Sequence, residues 1–208
     1  MPSLQSDTKK HRHNKIKYSV AYKVTTAPTT EPLTRSEVKN YLKVDSTSDD
    51  ALIDTLITAA RQWVENHCAL ALLPQTVLEV FDGLPQDGTL NLRISPLREV
   101  SGLHYLDSAG AVQVMASGIY RVDTVTMPPR IIRKYDQTWP DTQNTPGNAS
   151  AIYTAGYDNS SAVPAAIKTA MLLTIADMYD NRTDYVKKMP TAAEYILQAA
   201  GYRIFVWS

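Results

Sequence analysis

The feature that most constrains what this chain can fold into is a change of hydrophobic period at Pro74 that is reversed at Pro164. Before Pro74, Leu52, Ile53, Leu56, Ile57, Ala60, Trp63 and Val64 recur every three or four residues across 49–67, which lines one face of a helix. After Pro164, a residue suited to a first helical turn, Ile167, Met171, Leu172, Ile175, Met178 and Tyr179 do the same to about 181. Between the two prolines lie short segments rich in β-branched and aromatic residues, at 76–81, 90–94, 100–106, 112–115, 119–125, 130–134 and 149–155, separated by turn residues. Strands so short and frequent leave no room for crossover helices, so they predict antiparallel pairing rather than βαβ units. The expected class is α+β: a four-helix body with an inserted small antiparallel β domain, an extended N-terminal arm and a C-terminal tail.

Local signals sharpen these boundaries. Thr34 and Glu37 have capping-box spacing and open a first short helix whose apolar stripe is Val38, Tyr41 and Leu42. Asp49 and Asp50 sit at the positive end of the second helix. Thr191 and Glu194 repeat the capping box before a last helix through Tyr195, Ile196 and Ala199, which Gly201 can stop. Asp107 and Gly110 read as the turn of a hairpin. The chain divides into an arm at 1–32, a helical body at 33–73 plus 162–201, a β insertion at 74–161 and a tail at 202–208.

With 44% hydrophobic and 20% charged residues, the 208-residue chain can bury a real core. Basic and acidic residues balance at 21 each, yet the balance is uneven along the chain. Up to residue 23 there are six basic residues against Asp7 alone, a net of +5, so 24–208 carries −5. Cys68 is the single cysteine and implies no disulfide. The basic start is followed by His11, Arg12, His13, Asn14 and Lys15 rather than an apolar stretch, and no apolar run approaches the ~18 residues of a membrane span. The expectation is a soluble protein made in the cytoplasm, with no membrane partner.

Few residues point to chemistry. His67 and Cys68 are adjacent and diverge on a helix, His11 and His13 lie in the arm, and His104 stands alone, so no metal site is expected. Cys68 reads as a small buried apolar residue. Phosphate-loop, dinucleotide, nucleophile-elbow and zinc-protease motifs do not occur. Asp107, Asp123, Asp136 and Asp141 fall at turn-like positions, which favours solvated turn carboxylates over a catalytic pair. The expectation is no enzyme, catalytic residue, metal or cofactor. A small hydrolase on the β region is the rival, and it requires Asp123, Asp136 or His104 in mutual reach.

Both ends carry binding signals. In the arm, Lys9, Lys10, Arg12, Lys15 and Lys17 can contact DNA phosphates, with Tyr18 and Tyr22 as stacking partners; the other readings are a solvated tail or docking on an acidic protein surface. A DNA-binding module acting through this arm is the alternative function. Ile16, Tyr18, Val20, Tyr22 and Val24 alternate as in a strand, which in an arm has nothing of its own to pair with and would add to an edge in a neighbouring subunit. At the other end, Tyr202, Arg203, Ile204, Phe205, Val206 and Trp207 are dense in interface-type side chains. They fit a groove of another subunit or a last strand on the chain's own sheet.

The order of these signals resembles the head–tail connector (adaptor, or head-completion) proteins of tailed bacteriophages, in a longer variant with a β region between helices two and three. The resemblance runs from Leu33 to Tyr202. It is carried by Thr34 with Tyr41 and Leu42, by Asp49, Asp50 and Ile53, by Pro74 and Gln75, by Pro96 and Leu97, by Trp139 and Pro140, by Gly156 and Tyr157, and by Tyr179 and Arg182. It implies a virion protein forming a ring, commonly of twelve copies, below the portal. Its implied partners are itself, the portal protein, a downstream neck or tail protein and the genomic DNA passing through the channel. It implies anchoring through a C-terminal segment, for which 202–207 is the candidate. The 32-residue arm is longer than the family's pattern, so its role is not carried over.

Overall fold

A computed structural model of the protein describes residues 21–181 and 191–202. In chain order the elements are β1 (Ala21–Thr26), α1 (Arg35–Leu42), α2 (Asp50–Cys68), β2 (Gln75–Phe81), β3 (Thr89–Asn91), β4 (Leu97–Leu106), β5 (Val112–Val114), β6 (Tyr120–Asp123), β7 (Arg130–Arg133), β8 (Ala149–Ala155), a 3-10 turn (Ser160–Ala162), α3 (Ala165–Asp180) and α4 (Thr191–Ala199). The α+β class and all seven expected strands of the central region are present, within a few residues of their predicted limits.

The predicted cap of α1 forms in full. Glu37 N–H donates to the Thr34 hydroxyl, and Thr34 N–H donates to the Glu37 carboxylate at 2.7 Å, satisfying two backbone donors at the helix start. The Glu37 carboxyl is held below its usual range, chiefly by the bond from the Thr34 backbone. The second helix stops without glycine: Ala69 adopts the left-handed conformation at φ 52°. Its N–H still bonds Glu65 O, and the packing of residues 69–73 offsets the strain. Ala69 and Ala71 point into the sheet core while Leu70, Leu72 and Leu73 point into the helical core. This unpredicted segment bridges to Ser95, bonded through Ala71 N–H to Ser95 O and through Ser95 N–H to Ala69 O. Small residues face the sheet and large ones the helices, so five consecutive residues stitch two cores together.

The sheets are antiparallel throughout, in the orders β1-β2-β8-β4-β5 and β3-β7-β6. β2 and β8 alternate buried with half-buried residues at every position, placing Val77, Glu79, Phe81, Ala151 and Tyr153 inside. Leu90 and Ile131 of the smaller sheet, and Leu92 just after β3, join this core. α3 is apolar around most of its circumference and packs against α1, α2 and α4, burying Ile167, Ala170, Met171, Thr174 and Ile175.

One expectation is overturned. The strand at 21–26, read as part of an arm without a partner of its own, is β1 and pairs antiparallel with β2 from Ala21 opposite Val80 to Thr26 opposite Thr76. The reason is that β2 is left open on one side by β8, and the register puts Tyr22 opposite buried Glu79, so that the aromatic ring covers the sheet core. The hairpin at Asp107 forms as predicted: its carboxylate accepts from Ala109 and Ala111 N–H at 3.0 and 2.9 Å, and Gly110 takes φ 83°.

Candidate assembly surfaces

Several of the polar residues that sequence alone left available for chemistry are engaged in holding the fold. Asp123 accepts from Val125 N–H at 3.1 Å and from Arg130 Nη2 at 2.7 Å, which draws its carboxyl down to about 2, the bond from Arg130 being the main cause. Asp136 and Asp141 are exposed. His104 stands on β4, where it fills the space over Gly102; a Cβ there would come within 2.7 Å of its ring. An open groove runs between Pro96, Leu97 and Arg98 on one side and Gly156, Tyr157 and Asp158 on the other, and none of Asp123, Asp136 or His104 lines it. The assembly that the hydrolase reading needs is therefore not brought together in that groove.

His67 and Cys68 close the end of α2. The imidazole stacks on Trp63 at 4.8 Å and lies 3.6 Å from the Glu194 carboxylate, with burial holding it below the usual histidine range against that carboxylate's pull. Cys68 is buried and its thiol is pushed up to about 11 by burial, as expected of an apolar packing residue. Among the described residues, no three His, Cys, Asp or Glu side chains converge on a common point, and no helix is long and apolar enough to cross a membrane.

Two buried polar clusters, which sequence did not single out, fix the relation of the elements. Glu79 is fully buried on β2; it accepts from the Tyr153 hydroxyl at 2.6 Å and from Arg93 N–H at 3.1 Å. Arg61 of α2 donates to Glu31 at 2.7 Å and to Glu65 at 2.8 Å, and Glu65 also accepts from Leu72 N–H at 3.0 Å. Glu31 belongs to the segment joining β1 to α1, so this cluster ties that segment, α2 and the stitching stretch at one point. The signal in sequence was only a pair, Arg61 and Glu65, at helical i,i+4 spacing.

Of the predicted contact residues, Tyr22 lies within the fold. Arg93 sits 4.7 Å above its ring, its hydroxyl donates to Asn66 at 3.3 Å, and it packs on the sheet core. One face of the ring is thus taken by the chain's own guanidinium rather than open to a base. Lys9, Lys10, Arg12, Lys15, Lys17 and Tyr18 lie outside the described residues, as do Arg203, Ile204, Phe205, Val206 and Trp207. Tyr202, the root of the tail, is described. Gly201, at φ 84°, ends α4 in a Schellman motif, with Gly201 N–H on Gln198 O and Tyr202 N–H on Leu197 O. The Tyr202 side chain then packs against the helical core. The predicted stop at Gly201 is therefore where α4 ends. In the cap predicted before α4, the Thr191 side chain lies outside the described part, and Glu194 faces His67.

The outward-facing apolar residues are unevenly spread. Val112 and Val114 on β5 are 69% and 68% exposed, although β5 belongs to the largest sheet. Val125 and Met127 between β6 and β7, and Tyr195 on α4, are also exposed. Scattered apolar residues are ordinary on a surface, but here two β-branched residues stand on one face of an edge strand.

Residues 34–93, from the cap of α1 to the strand-rich turn after β3, match the family model of the phage gp6-like head-tail connector protein. Over these residues, less than half of the chain, the sequence is similar to that family. The match spans both the helical and the β parts and agrees with the resemblance read from the sequence. The fold is shared with solved particle structures. A chain in the neck of an empty GTA particle computed with C6 symmetry aligns at TM-score 0.72 and 22% identity, over 86% of this chain and 94% of that one. A chain in the virion of the native gene transfer agent (GTA) particle aligns at 0.71 and 23%, over 90% and 97%. One in the neck of the native GTA particle computed with C12 symmetry aligns at 0.70 and 23%, over 86% and 93%. At these identities the likeness is one of fold. No curated protein matches the chain in sequence.

Proposed function

We propose that the protein is a structural, non-enzymatic virion adaptor that forms a ring below the portal, extends the DNA channel and links the head to neck or tail components. The observation that carries this reading is the connector signature at 34–93, set in a fold shared along 86% of the chain with a component of a particle neck. The helical body at 33–73 plus 162–201 and the β domain at 74–161 make up one subunit, and the ends at 1–32 and 202–208 supply its links to others. Twelve copies is the number proposed, matching the symmetry of a portal. The charge distribution supports a conduit: 24–208 carries −5, and an acidic wall does not hold passing phosphates through the salt-dependent attraction that a basic one exerts.

The tail is assigned to the portal. Its root at Tyr202 packs on the helical core, and Arg203, Ile204, Phe205, Val206 and Trp207, which follow it in sequence, include aromatic anchors of the kind that bury large area at low entropic cost. Deleting 203–208 is expected to leave a folded subunit that no longer joins portal-bearing heads, as read by negative-stain imaging of the protein mixed with portal. Normal incorporation of the truncated subunit would remove the anchor assignment, and absence of any ring with the intact chain and portal would remove the adaptor reading.

A further inference from the structure

The largest sheet has two edges of opposite character. β1 carries Lys23 and a break in register between Val24 and Thr26, both of which discourage a further strand. In the smaller sheet, the β6 edge carries Arg121 and Asp123, and β3 is a short polar segment, Thr89–Asn91, whose central Leu90 is buried. The β5 edge, Val112–Val114, has no charge, no proline and no bulge. Met115 N–H donates to Leu103 O across the hairpin at 2.7 Å. By alternation Gln113 also faces β4, so the N–H groups of Val112 and Val114 face away from it. No strand among the described residues lies on that side. Cross-strand pairing puts Val112 beside Leu106 and Val114 beside His104. Through β8 and β2 the same face continues over Ile152, Leu78 and Val80, all half-buried.

A strand of matching pattern precedes the opposite edge. Ala21 is opposite Val80, and β2 ends one residue later at Phe81. The register therefore supplies no β2 partner for positions before Val20, although Ile16, Tyr18 and Val20 continue the alternation of β1. These residues cannot serve their own β5. Four strand spacings of about 4.8 Å separate the two edges by roughly 19 Å. Five extended residues span about 17 Å and would be used up in reaching it.

We propose that residues 16–20 of one copy add as a strand to the free side of β5 in the next copy, with Ile16, Tyr18 and Val20 extending the aliphatic face of Val112 and Val114. Donor and acceptor lie at opposite edges of one sheet, so the contact is head-to-tail and propagates from copy to copy, as a ring requires. The proposal rests on the ring reading of the proposed function and assigns its subunit contact.

The test uses two full-length variants, a donor variant (I16D and Y18D together) and an acceptor variant, Val114→Pro, which removes an N–H on the side away from β4. Light scattering is expected to show self-association of the intact chain and its weakening by roughly tenfold or more in each variant alone. Mixing the two should restore one interface and give 1:1 heterodimers, because each retains the half of the contact that the other has lost. Circular dichroism and thermal melting matching the intact chain show that both variants are folded, and Val114→Lys repeats the acceptor arm should the proline disturb the hairpin. Unaltered association of the donor variant, a mixture without heterodimers, or an intact chain that stays monomeric would overturn the strand link. Rings formed with portal by the donor variant would leave the adaptor reading intact and remove only the link. Heterodimers from a chain that never forms rings with portal would do the reverse.

Discussion

At the scale of single residues, the same side-chain types that serve chemistry elsewhere here close bonds inside the fold. Asp123 is the plainest case. Its carboxyl is held at about 2 against an ordinary 3.8, so the folded state releases the proton more readily than the unfolded one. The contribution of this contact is complete above about 3.8 and is lost as pH falls toward 2. Carbon-detected NMR should find the Asp123 carboxyl titrating near 2, and Arg130→Gln should return the midpoint toward 3.8. Tyr153 supplies a second prediction. Its hydroxyl bridges Glu79 and Ile94 N–H in the sheet core, and burial beside that carboxyl pushes it far above the usual tyrosine range. Tyr153→Phe leaves two buried polar groups short of a partner, at a cost of about 1–3 kcal/mol measurable by urea denaturation. Neither role was legible in sequence. Tyr153 sits at an inward position of a predicted strand, and only the packing shows that its hydroxyl meets Glu79.

At the scale of elements, propensity and period were legible wherever local sequence dictates local structure. The α1 cap, the Asp107 turn, the Gly201 stop and the seven central strands all follow from side chains acting on their own backbone. Positions whose reason is distant were not legible. Gly156 follows β8 and has φ 125°, and a Cβ there would fall 2.2 Å from Leu73 O. Neither backbone can withdraw, because Gly156 N–H bonds Pro96 O and Leu73 is in the helical core. Gly156→Ala is expected to destabilise by at least about 3 kcal/mol in chemical denaturation, whereas Gly118→Ala, with open space around its Cβ, should change stability little. The β1 pairing belongs to the same class. Its alternation was readable, but its partner lies 50 or more residues away in β2.

For the whole molecule, the segment from Ala69 to Leu73 decides how the helical and sheet cores respond to stress. Because Ala69 and Ala71 serve the sheet core and Leu70, Leu72 and Leu73 the helical core, neither core can open without exposing part of the other. Unfolding should be one transition. Trp63 packs on the helical core and Trp139 on the sheet core, so each reports its own side once Trp207 is replaced by phenylalanine. Urea curves from chains retaining only Trp63 or only Trp139 are expected to coincide, and Leu72→Ala should shift both midpoints together by about 2–5 kcal/mol. Two separated transitions would show that the stitch does not couple the cores.

The sequence by itself determined the α+β class, the kinds of elements, several of their ends and the connector resemblance. These depend on hydrophobic period and on side chains near in the chain. The tertiary structure alone decided that the first strand completes the chain's own sheet, that Tyr22 is covered by Arg93, and that Glu79 and Arg61 are buried at the junctions. It alone also showed that, among the described residues, no strand pairs with the outer side of β5. Each of these is a contact between residues far apart in sequence, whose free energy depends on which surfaces meet and which are left uncovered, and no local pattern encodes that.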